Sequence, residues 1–217
     1  MIQKADIFKT VLLGDGGVGK SSLRKSYLGK NFSYNYNMTI GADFSVKNYD
    51  IYGERVVSQI WDLAGQPRFS NVREVYYKGA TGVILVFDKT RPETFKSIPK
   101  WINELLKNNN NKVVPMVLVG NKTDIERNFK NSVSYKTGVK YAKELSKWSG
   151  FKVPYHDTTA LHSTDIHRVF MDVLQQSKEQ LKKEKEAEAK DLKKFKIRGT
   201  YKMRDTQKKK KRRRIFK

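Results

Sequence analysis

The stretch "GDGGVGKSS" at residues 14–22 places Gly14, Gly19, Lys20 and Ser21 at the spacing G-x-x-x-x-G-K-[ST]. A loop with so little side-chain bulk can turn its backbone N–H groups inward around phosphate oxygens, at the positive end of a following helix. Lys20 would then reach the terminal phosphates, and the Ser21 hydroxyl would bind Mg2+. A second stretch, "NKTD" at 121–124, follows an apolar run, and ligands of open α/β sheets sit at such strand ends. A carboxylate such as Asp124 can accept from both N1–H and the 2-amino group of guanine. Adenine offers no such pair of donors and would leave a buried carboxylate unpaired, so GTP is favoured. In a third stretch, "WDLAGQPRF" at 61–69, Asp62 can hold Mg2+ through water and Gly65 can offer its N–H to a γ-phosphate. Gln66 can orient an attacking water. Together these groups would transfer the γ-phosphoryl group of GTP to water.

Such residues need a scaffold that brings distant stretches together. Strand-like runs fall at 7–13, 42–51, 54–62, 81–88, 113–119 and 153–158, and helix-period stretches at about 20–28, 69–78, 92–107 and 134–149. "GVILVF" and "VVPMVLV" are apolar on both faces, as in strands buried between helix layers. Strand–helix alternation predicts an α/β fold with a mostly parallel sheet. The short "YG" between the second and third runs implies an antiparallel hairpin. A last helix from about Thr164 carries Ile166, Val169, Phe170, Val173 and Leu174 on one face. The expected organisation is one domain over 1–177 and an extension over 178–217, helical at first and then disordered.

The formal charge of +23 is concentrated. Residues 178–192 carry five charges of each sign, whereas 193–217 hold fourteen Lys/Arg and one acidic residue, with seven consecutive cations at 208–214. Such a tail implies a polyanionic partner: an anionic membrane surface first, nucleic acid second. The chain has no Cys, which excludes disulfides, thiolate metal sites, a Cys nucleophile and Cys-linked lipids. Ile2 stands where N-myristoylation needs Gly. The first ten residues lack the apolar core of a signal peptide, so a cytoplasmic monomer, peripheral on a membrane at most, is expected. His156, His162 and His167 have no metal-like spacing.

With these motifs in place the chain resembles a Ras-superfamily small GTPase, closest to the Rab family, over about residues 5–176. "MTIGADF" at 38–44 and "QIWDLAGQPRF" are similar to the two Rab switches, and "YYKGATGVILVFD" at 76–88 to the strand entry after them. The resemblance implies a P-loop NTPase three-layer sandwich, with a six-stranded, mostly parallel sheet, one antiparallel edge strand and helices on both faces. It implies GTP/GDP and Mg2+ as cofactors, slow hydrolysis, and effector, exchange-factor and GTPase-activating proteins as partners. The phosphates would lie against Asp15, Gly16, Gly17, Val18, Gly19, Lys20, Ser21 and Ser22. Thr39 would bind Mg2+ and sense the γ-phosphate beside Gly65, while Phe32 and Tyr36 would flank the nucleotide. Asn121 and Lys122 would brace the base and the phosphate loop, with Thr159, Ala160 and Leu161 closing the base site. Phe44, Trp61 and Tyr76 resemble the aromatic triad that Rab proteins present to effectors, although strand positions favour such residues for plain packing too. Two departures stand out. Leu161 replaces the usual Lys, which is expected to remove a base-stacking contact. Pro67 replaces the usual Glu, fixing φ and removing an N–H beside Gln66.

Overall fold

The computed structural model describes residues 5–30, 38–51, 53–126, 129–161 and 163–215, with backbone only at 163–164 and 192–215. Phe32, Tyr36 and His162 therefore lie outside the described residues. The chain divides into two compact units, Met1–Ser177 and Lys178–Lys217.

Among the described residues the first unit carries six strands: β1 (Asp6–Leu13), β2 (Ala42–Ile51), β3 (Glu54–Leu63), β4 (Gly82–Asp88), β5 (Met116–Asn121) and β6 (Tyr155–Asp157). Its helices are α1 (Lys20–Tyr27), α2 (Ser70–Tyr77), α3 (Pro92–Lys96), α4 (Ile98–Asn108), α5 (Tyr135–Ser149) and the start of α6 (Ser163–Ile215). The strands form one sheet in the order β2-β3-β1-β4-β5-β6. All pairs are parallel except β2 with β3, whose register closes at Ile51 opposite Glu54. This is the expected six-stranded architecture with one antiparallel edge strand.

Period-two alternation decides how the layers fill. All of β4 is buried. Val83, Leu85 and Phe87 enter a core with Ile98, Trp101 and Leu105 of α4 and Ala142 and Leu145 of α5. Ile84 and Val86 enter a second core with Leu23 of α1 and Ile166, Val169, Phe170 and Val173 of α6. Burying about 25 cal/mol per Å2 of apolar surface on both faces makes the centre of the sheet the rigid part of the domain.

Three boundaries differ from the sequence reading. β5 starts at Met116, because Pro115 has no N–H to give a ladder and only its carbonyl is used, accepting from Val83 N at 3.0 Å. The helix expected over 92–107 is two helices broken at Ser97. Pro99 cannot donate to the carbonyl four residues back, so the ladder stops and restarts. The second unit is helical through Ile215, where composition predicts disorder for its end. Lys, Arg, Glu and Gln are good helix formers, and pairs such as Gln180 with Glu184, at 3.0 Å, add i,i+4 support.

Candidate functional site

The sheet's strand order reverses at β1, and the motif residues gather at the carboxyl ends of β1, β3, β4, β5 and β6. The loop leaving β1 begins at Gly14, whose φ is 146°. A Cβ there would lie 2.0 Å from the Val86 carbonyl oxygen, so only Gly lets the loop turn against β4. The loop ends at Gly19, the N-cap of α1, with φ at 102°. A Cβ on Gly19 would meet Asn121 Nδ2 at 2.2 Å. That close approach lets Asn121 donate to the Val18 carbonyl at 2.8 Å while its own oxygen accepts from Thr158 Oγ1 at 3.2 Å. Asn121 thus ties the loop leaving β1 to the end of β5.

Lys20 opens α1 and folds back over the loop, donating to the carbonyls of Gly14 at 2.7 Å and Asp15 at 2.9 Å. Burial lowers its pKa to about 8, opposed by the charges of Asp62 and Asp15. The Ser21 and Thr39 hydroxyls share a 2.8 Å hydrogen bond, joining the start of α1 to the segment before β2. Asp62 in β3 is fully buried, and neither carboxylate oxygen has a hydrogen-bond partner. Its nearest cation is Arg24 Nε at 3.9 Å. Burial pushes the Asp62 carboxyl above the usual range, against the charges of Lys20 and Arg24. A buried carboxylate without a hydrogen bond is costly, and one beside two hydroxyls is a hard oxygen donor set of the kind Mg2+ takes. The residues present therefore fit the ion. No cluster of three or more His, Cys, Asp or Glu capable of holding a metal by itself exists among the described residues.

Gln66 follows β3 and leads into a short 3₁₀ turn, Pro67–Phe69, with Pro67 at its first position. A Cβ on Gly16 would lie 3.2 Å from Gln66 Cγ, so the glutamine side chain lies against the phosphate loop. Its amide nitrogen contacts Met38 Sδ. Gln66 is anchored by a residue that sequence reasoning missed. Arg73 of α2, 1% exposed, donates to the Gln66 carbonyl at 2.8 Å and the Ala64 carbonyl at 3.0 Å. Its other nitrogens grip Glu104 of α4 at 2.7 and 2.9 Å, and its guanidinium lies 4.7 Å from the Trp101 ring centre. Trp101 Nε1 in turn donates to Asp15 Oδ1 at 2.8 Å. A continuous set of contacts thus runs from the loop after β1 through α4 to the segment that carries Gln66.

Lys122 goes to the buried Asp88 at 2.6 Å rather than to the phosphate loop, and it adopts a φ of 70°. Asp88 also takes Arg91 Nε at 2.9 Å, and Arg91 reaches the Gly16 carbonyl at 3.1 Å. A carboxylate with no exposed surface needs this cationic surround. Asp124 stands exposed after β5. Thr123 N donates to the Thr158 carbonyl at 3.1 Å, tying that turn to Thr159, Ala160 and Leu161, of which Leu161 is exposed. Phe44 and Trp61 stand 4.7 Å apart, and Trp61 and Tyr76 5.3 Å. Phe44 is exposed, whereas Trp61 and Tyr76 pack against the core. His156 hydrogen-bonds Asp172 at 2.7 Å, and His167 lies 5.9 Å from the Tyr27 ring.

Comparison with known proteins gives a consistent picture. The sequence model of the Ras family matches residues 9–179. The chain is 40% identical over 168 residues to Ras-related protein RABA5e of Arabidopsis thaliana, covering 77% of this chain and 73% of that protein. It is 37% identical over 170 residues to Ras-related protein RABA1b of the same plant, covering 78% and 74%. Against GTP-binding protein ypt1 of Schizosaccharomyces pombe it is 35% identical over 175 residues, covering 81% and 82%.

Proposed function

This chain belongs to the Ras family, whose members bind GTP or GDP with Mg2+ and hydrolyse GTP, and from that premise we propose that it is a guanine-nucleotide switch built on the residues above. The observation that carries the residue assignment is the buried Asp62 carboxylate, without a hydrogen bond, beside the Ser21–Thr39 hydroxyl pair, under the Lys20 loop. Ser21, Thr39 and, through water, Asp62 would hold Mg2+, which neutralises phosphate charge. The backbone N–H groups of Asp15 to Ser22 and the Lys20 ammonium stabilise negative charge on the phosphoryl oxygens. Gln66 orients the attacking water, held from behind by Arg73. Thr39 and Gly65 sense the γ-phosphate and release their segments after hydrolysis. Asp124 selects guanine, with Asn121, Lys122 and the Thr159–Leu161 turn around it.

Phe44, Trp61 and Tyr76, with exposed Ile40, Val72 and Val75 nearby in sequence, form the surface through which effectors read the GTP state. No helix among the described residues is long and apolar enough to cross a membrane. Residues 193–217 supply membrane attachment by charge, at about 1 kcal/mol per Lys or Arg near an anionic leaflet. Membrane traffic is the cellular setting this supports.

Identifying the co-purifying nucleotide by chromatography tests the site. Guanine nucleotide released by EDTA is expected, and adenine nucleotide would refute the assignment of Asp124. Sedimentation with anionic and neutral liposomes, with and without residues 193–217, tests the tail. Loss of anionic binding on truncation is expected, and binding to nucleic acid alone would transfer the tail to that partner.

A further inference from the structure

Lys89 follows β4 and is 2% exposed, a cation in a place the apolar run before it would fill with a hydrophobe. Its Nζ lies 2.5 Å from Asp157 Oδ2 and 2.8 Å from Glu126 Oε2. Asp157 ends β6 and immediately precedes Thr158 to Leu161. Glu126 stands two residues beyond Asp124. One buried ammonium is therefore bonded to the flank of each stretch assigned to the guanine ring. The Lys89 backbone adds two more ties, donating to the Asn121 carbonyl at 3.0 Å and accepting from Val133 N at 2.9 Å. The Tyr155 hydroxyl donates to the second Asp157 oxygen and fixes that carboxylate from the other side.

The electrostatics give this arrangement a direction. Lys89 holds two carboxylates together that would otherwise repel each other at short range. Removing the ammonium converts a strut into a repulsion between two partly buried carboxylates, which drives the two stretches apart. Leu161, at the position expected to stack on the base, is exposed, and its N–H donates to Thr159 Oγ1 at 3.3 Å. More of the burden of holding the base then falls on the spacing between Asp124 and Ala160.

We propose that Lys89 is a positioning residue that, through Asp157 and Glu126, sets the spacing of the two guanine-contacting stretches, slowing nucleotide release and sharpening the preference for guanine. The proposal rests on the chain being the guanine-nucleotide switch described above.

The test uses the full chain loaded with fluorescent GDP or fluorescent IDP, whose base lacks the 2-amino group, and follows release into excess unlabelled nucleotide. Lys89→Met is expected to release GDP about tenfold faster or more, the usual scale for groups that orient a ligand contact from behind. GDP release should accelerate more than IDP release, because the 2-amino contact to Asp124 is the one displaced. Lys89→Arg should retain most of the wild-type behaviour. Glu126→Gln keeps the Lys89–Asp157 pair and therefore the fold, and should show a smaller shift in the same direction; if Lys89→Met does not fold, this variant decides alone. Unchanged GDP release in both variants, or equal acceleration of GDP and IDP, overturns the role of Lys89. A wild-type chain that holds no guanine nucleotide overturns the switch and this role together, whereas a wild type that holds GDP with unaffected variants overturns this role only.

Discussion

Replacing Arg73 by Met should be among the most damaging single changes outside the nucleotide site. Arg73 is 1% exposed and makes four hydrogen bonds, two to Glu104 and one each to the Ala64 and Gln66 carbonyls. Methionine fills much of the volume but leaves the Glu104 carboxylate with the Tyr77 hydroxyl alone, at 2.8 Å. Breaking a buried pair by removing one partner costs about 3–5 kcal/mol. Glu104 keeps 16% side-chain exposure, which places the expected loss near the lower end, about 3 kcal/mol. For a domain of this size that is a fall in Tm of roughly 6–12 °C, measured at one fixed GDP and Mg2+ concentration with the GDP Kd of each protein determined, so that the ligand contribution can be subtracted. Arg73→Met/Glu104→Gln should recover part of the loss, because the orphaned charge is gone. The single variant should also hydrolyse GTP more slowly, since the Gln66 carbonyl loses its anchor. A loss below about 1 kcal/mol, or a double variant no better than the single one, would refute this reasoning.

Three further outcomes follow from the same geometry. Gly19→Ala should abolish nucleotide binding in equilibrium titration, because its Cβ would lie 2.2 Å from Asn121 Nδ2 on a backbone with φ of 102°. Pro67→Glu should change the intrinsic hydrolysis rate or partner binding, as the ring that presets the turn after Gln66 is lost; identical kinetics and partner binding would contradict this. In nucleotide-free protein, Lys20 has a folded pKa of about 8, below its unfolded value of 10.5, so the unfolded state binds more protons between those two pH values. Wild-type stability should therefore rise relative to Lys20→Met from about pH 8 to 10.5 in urea unfolding, and a constant gap would show that the ammonium is not desolvated.

Residues whose roles depend on local backbone chemistry were legible in the sequence. Gly14 and Gly19 are demanded by the turn they make, and the 42–51 strand has the boundaries its alternation predicts. The double apolar run of β4 announces a strand between two helix layers, and both cores are there. Pro99 and Pro115 are visible in the sequence, and the N–H each lacks dictates both boundary shifts. Arg73, Trp101 and Lys89 escaped for a different reason. Their partners lie 31, 86 and 68 positions away, and no pattern in one chain marks a charge or an indole as paired across that separation. The only signal was a buried-looking position occupied by a polar group, as in "VFDK" at 86–89. Lys122 likewise pairs with the buried Asp88, a contact that no local pattern marks.

The most direct test of the central claim is single-turnover hydrolysis of GTP by the full chain and by Gln66→Leu, each preloaded with GTP and started with Mg2+. Slow conversion to GDP by the wild type, and a rate at least about tenfold lower in the variant with nucleotide binding retained, is the predicted result. Equal rates in the two proteins would contradict the assignment of Gln66 and, with it, the hydrolysing switch.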